Sequence, residues 1–152
     1  MAFTIDKNFS PPPTGEKRTR VLKLIEELRS GKREKFVGLL RGMVNGTKEC
    51  FCFEGVVGDV YIEETGSAEW TPNVGYWSFK YKERATGHVI WEDSVLPPMV
   101  WEWFGMQDGP QESDLDGDLL HFWNQYNDGC NLMSIAPHSF EEFADALETW
   151  LE

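Results

Sequence analysis

Residues 75–92 read GYWSFKYKERATGHVIWE, and this run constrains the fold more than any other stretch of the chain. Trp77, Phe79 and Tyr81 alternate with Ser78, Lys80 and Lys82. Such alternation puts three rings on one face and the polar groups on the other, as in a half-buried strand. Residues 83–87, ending in Gly87, make the turn, and His88 to Glu92 return. A strand with one apolar face needs a layer to cover it.

The covering layer reads as helices. Val21, Leu24, Ile25 and Leu28 recur at helical spacing, with Lys23, Glu26 and Glu27 outside the stripe and Ser30-Gly31 as the stop. Phe36 to Val44 is apolar but broken by Gly38 and Gly42, so a short strand or turn suits it as well as a helix; Asn45-Gly46 is a turn. The segment ECFCFEGVVGDV (49–60) favours a helix from about Phe51 to Tyr61, although a strand fits it too. Gly55 and Gly58 each cost that helix roughly 1 kcal/mol relative to Ala, recoverable if a neighbouring backbone comes close. In LPPMVWEWFG (96–105) the prolines suit a first helical turn and Gly105 a C-terminal cap. Met99, Val100, Trp103 and Phe104 share its apolar face, which leaves Trp101 and Glu102 pointing elsewhere.

The clearest helix closes the chain. Ser139 and Glu142 form a capping box, and Phe140, Phe143, Ala144, Leu147, Trp150 and Leu151 form one stripe. The expectation is a single compact α+β domain over 17–152. Three to four helices pack on a small antiparallel sheet that includes the 76–92 hairpin. Residues 1–16 form a Pro-containing arm. No apolar run approaches the roughly 18 residues of a membrane span, the N-terminus lacks a secretory pattern, and three cysteines are too few for a disulfide scaffold. A cytoplasmic protein is expected.

Charge is unevenly distributed. Residues 1–50 hold eleven Lys/Arg against six Asp/Glu, whereas residues 51–152 hold three against twenty. The sequence thus describes a basic end and an acidic body whose field could steer a charged partner.

Five motifs occur in order: LRSGK (28–32), the Cys-rich run at 50–60, LPPMVWEWFG (96–105), YNDG (126–129) and SFEEFAD (139–145). Together they resemble a widespread group of small phage and prophage proteins. That group carries LRSGKY, a CCLGVLC-like segment, LPxEVxxWxGL and LNDxGxSFxEIAD. The resemblance covers roughly residues 22–62 and 95–152 and implies a phage origin and a small α+β fold, with no mechanism attached. This chain departs from the pattern in Cys50-Phe51-Cys52, where the group has adjacent cysteines. It also departs in Cys130 to His138, nine residues that separate Gly129 from Ser139 where the group has one or two.

The candidate chemistry is sparse. Cys50 and Cys52 are one residue apart, Cys130 is distant, and His88, His121 and His138 are isolated, which does not match zinc-ligand spacing. Small buried core residues are the expected role of the paired thiols. Asp114, Asp116 and Asp118 look like a calcium loop, but Leu119 and Gln125 stand where the sharp-turn Gly and the bidentate Glu belong. Phosphate-cradling patterns are absent. Arg18, Arg20, Lys23, Arg29, Lys32, Arg33 and Lys35 could favour nucleic acid, but the acidic balance repels phosphates, so no direct nucleic-acid contact is expected.

These readings lead to an expected non-enzymatic accessory protein without cofactor or metal, acting in a host cytoplasm. It would bind and modulate a host protein with a basic surface, with an acidic face imitating nucleic acid. The expected contacts are Trp101, Glu102, Asp108, Glu112, Asp114, Asp116, Asp118, Asn131 and Met133. Two rival readings are a metabolite binder with a Trp-lined pocket and a thiol enzyme at Cys130.

Overall fold

The computed structural model describes residues 4–8, 10–106 and 138–152. Among them lie helices α1 (Gly15–Arg29), α2 (Phe53–Thr65), α3 (Pro98–Phe104) and α4 (Phe140–Leu151). The strands are β1 (Glu34–Lys35), β2 (Arg41–Val44), β3 (Lys48–Phe51), β4 (Ala68–Pro72), β5 (Tyr76–Lys82) and β6 (Val89–Glu92).

The expected hairpin is β5 and β6, joined in antiparallel register from Phe79↔Glu92 to Lys82↔Val89. The strand β5 is also the hub of a larger sheet. The strand order is β1-β3-β2-β5-β4, with β6 continuing beside β5. Among the described strands, only the two-residue β1 pairs in parallel, with β3. Asn45 and Gly46 both adopt positive φ between β2 and β3, which makes the expected turn. The domain is α+β, with a mostly antiparallel sheet.

Phe79 of β5 faces the helices. An added Cβ on Gly58 of α2 would touch Phe79 at 3.3 Å, so α2 lies across that face. Trp70, opposite Phe79 in register, meets it edge-on at 5.6 Å. Phe53 at the start of α2 stacks on Phe143 of α4 at 4.2 Å, and α1 packs along α4. Val21, Leu24, Ile25 and Leu28 are buried, as their spacing predicts.

Three details differ from the sequence reading. The helix expected from Phe51 begins at Phe53, because Phe51 ends β3 opposite Arg41 and Cys52 becomes the N-cap. Glu27, placed outside the apolar stripe, is only 5% exposed. Trp101, expected to point away from the core, is 3% exposed, since the two-turn α3 is covered on more than one side and buries Val100, Trp101 and Phe104 together.

Part of the N-terminal arm packs on the body. Ile5 belongs to the core, and the Trp150 indole N–H donates to the Ser10 carbonyl at 2.6 Å. No helix among the described residues is long and apolar enough to cross a membrane.

Candidate functional site

Strand pairing sets which side chains leave the core. Lys80 alternates with Phe79 and Tyr81, so it stands on the side of the sheet away from α2, with Glu69 and Trp91 as its register partners. Lys80 Nζ lies 3.1 Å from Glu69 and 5.9 Å from the centre of the Trp91 ring. Trp91 is 53% exposed, and Val89, two residues before it on the same face, is 45% exposed. An indole this open is a departure from core use, and tryptophan is enriched among residues that dominate protein contacts. Sequence reading singled out Trp101 instead. The signal for Trp91 was available: in a hairpin closed at 83–87, it falls opposite the polar position Lys80.

Most cations of the basic third of the chain are spent internally. Arg33 donates to Asp59 Oδ2 at 2.9 Å and to Glu27 Oε2 at 3.0 Å, and its side chain is 7% exposed. Lys23 and Lys32 also reach Glu27, and the Trp70 indole N–H donates to the other Asp59 oxygen at 2.9 Å. Burial pushes the Glu27 carboxyl up, but hydrogen bonds from Arg33 and Lys23 outweigh it and hold its pKa below the ordinary value. Arg29 bridges α1 to Glu141, Asp145 and Glu148 of α4 at 3.2, 2.7 and 2.8 Å. Arg18 donates to the Leu151 carbonyl, and Lys35 to the Phe36 carbonyl. Arg41 lies 4.2 Å from the Trp77 ring centre and pairs with Glu49. The basic end and the acidic body therefore partly neutralise one another. Glu26, Glu64, Glu92 and Glu102 make no salt bridge among the described residues, although Glu26 and Glu64 act on the nearby Lys23 and Glu92 bonds to Tyr81.

A cleft of about 280 Å³ opens where α1, α2 and α3 meet. Thr19, Arg20, Lys23, Val60, Glu64 and Trp103 line it. The Arg20 guanidinium stacks on the Trp103 ring at 4.4 Å and donates to the Trp103 carbonyl at 2.8 Å. Tyr61 meets the Trp103 ring edge-on at 5.6 Å.

The paired thiols sit in different environments. Cys50, on β3, is buried, and desolvation with the nearby Glu34 carboxylate pushes its pKa up. A thiol so shifted is a poor nucleophile at neutral pH. Cys52 Sγ accepts from Gly55 N–H at 3.3 Å and thereby caps α2. Among the described residues no group of three His, Cys, Asp or Glu side chains could hold a metal ion. His138 Nδ1 lies 2.6 Å from Glu142 Oε2, beside the capping box.

The contacts expected from sequence divide in three. Trp101 is buried and offers no surface. Glu102 is exposed on α3, at a second cleft of about 250 Å³ shared with Glu83, Arg84 and Met99. Asp108, Glu112, Asp114, Asp116, Asp118, Asn131 and Met133 lie outside the described residues, as do Cys130 and His121.

No curated protein and no solved structure matches the chain. Residues 18–151 match the family described as Domain of unknown function (DUF8296), so the chain belongs to that family.

Proposed function

We propose that the protein is a non-enzymatic accessory protein of phage type that binds a basic surface of a host protein in the host cytoplasm. Trp91 anchors the contact, and surplus carboxylates steer it. The observation that carries this reading is the exposure of Trp91 and Val89 on the side of the sheet away from α2. It is supported by the internal pairing of Arg18, Arg20, Lys23, Arg29, Lys32 and Arg33, which leaves net negative charge to face a partner. The pairing of Arg18, Arg29, Lys32 and Arg33 also disfavours a role in gripping a nucleic-acid backbone, because those cations already have acceptors. The buried Cys50 and the capping Cys52 offer no ready nucleophile.

The test is capture from host lysate at low and high salt, with mass-spectrometric identification, using the wild-type chain and Trp91→Ala. A partner retained at low salt, depleted at high salt and lost with Trp91→Ala is the expected result. Capture indifferent to both salt and the indole would sink the reading. A second reading, binding of a small molecule, is favoured by the Trp103 cleft between three helices.

A further inference from the structure

We propose that the cleft between α1, α2 and α3 binds a small zwitterion with an apolar body, the chemistry of a free amino acid. This rests on the small-molecule reading and is independent of any contact at Trp91. Two cations, one carboxylate and two apolar walls converge there. The Arg20 guanidinium is held before any ligand arrives, by the Trp103 ring beneath it and the Trp103 carbonyl at 2.8 Å. Its second contact, to the exposed Glu16 at 3.4 Å, is long, so the guanidinium keeps N–H groups for a ligand. Lys23 gives one contact to Glu27 at 3.2 Å and retains the other donors of its ammonium. A ligand carboxylate fits between these two cations.

Glu64 narrows the class. It lines the same cleft without a salt bridge among the described residues, and its charge reaches Lys23 only at longer range. A phosphate or dicarboxylate would meet its charge as repulsion, whereas a ligand ammonium would pair with it. The buried Val60 and the indole of Trp103 receive the apolar body, with the Thr19 hydroxyl at the rim. The volume, about 280 Å³, sits at the small end of ligand pockets and suits a molecule of amino-acid size.

The test is calorimetric titration and thermal shift of the full chain against the set of free L-amino acids. Each hit is then compared with its deaminated acid, its decarboxylated amine and inorganic phosphate. An apolar amino acid should bind, and each truncated analogue should bind at least about tenfold more weakly, the loss of one charge-assisted hydrogen bond. Glu64→Gln and Lys23→Met should each weaken binding by a similar factor; Glu64 is exposed, so its variant folds as the parent does. No binding by any amino acid, phosphate binding as tightly as the hit, or affinity unchanged in both variants would each overturn the proposal. Loss of host-protein capture by Trp91→Ala has no bearing on these readouts.

Discussion

The backbone of Gly55 lies directly against the carbonyl of Leu40: a Cβ added at Gly55 would be driven into that group, 2.7 Å from its carbon. The Leu40 carbonyl cannot easily retreat. It accepts from Cys52 N–H at 3.2 Å, while Leu40 N–H donates to the Asp93 carbonyl at 2.8 Å. This contact seats the first turn of α2 on the segment leading into β2, and it explains why a helix tolerates glycine there.

Gly55→Ala should therefore destabilise the fold by about 3 kcal/mol, the upper range for overpacking, because backbone must move. Gly58→Ala should cost clearly less. Its added methyl meets Leu96 Cδ2 at 3.0 Å, the end of a side chain that can turn aside. Urea denaturation of both variants checks the order; equal losses would refute the backbone contact.

Glu27→Gln should flatten the acid limb of the stability profile. The folded-state pKa of Glu27 is lowered from 4.5, so its contribution is present above the unfolded value and is lost as pH falls through the folded one. Unfolding midpoints measured from neutral pH down to about pH 3 should converge between wild type and variant at the acid end. At neutral pH, Glu27→Ala should cost about 3 kcal/mol, because Arg33 is left buried with less compensation.

Arg29→Gln should lower stability by about 1 kcal/mol at low salt. Three carboxylates of α4 converge on that guanidinium, which offsets their mutual repulsion. The side chain is partly exposed, so added salt should shrink the difference between variant and parent. A loss that grows with salt would contradict the ion-pair account of the α1–α4 contact.

In a Cys130→Ser chain, an aromatic disulfide reagent should modify no thiol until denaturant is added. Cys50 and Cys52 are 2% and 1% exposed, and the raised pKa of Cys50 leaves little thiolate. Prompt reaction of the native chain would show that β3 and the α2 cap open readily.

The sequence by itself determined the elements whose signals are local. The alternation of Trp77, Phe79 and Tyr81 marked β5, and the Ser139–Glu142 box with its apolar stripe marked α4, because side-chain period and capping chemistry act within a few residues. The thiol pair was also legible as buried, since its spacing fits no metal site. Tertiary structure alone decided the rest. The strands β1, β2 and β3 are two to four residues long, too short for a period to show, and they exist because β5 offers β2 an edge at Trp77 and Tyr76. Spacing predicted which residues of α3 point together, but not that Trp101 would be covered as well, because a helical wheel does not count neighbours. The pairing of Arg29 with Asp145 and of Arg33 with Asp59 turned an apparent basic end into an internal brace. Charges distant in the chain meet only when the helices pack, and no local rule encodes that meeting.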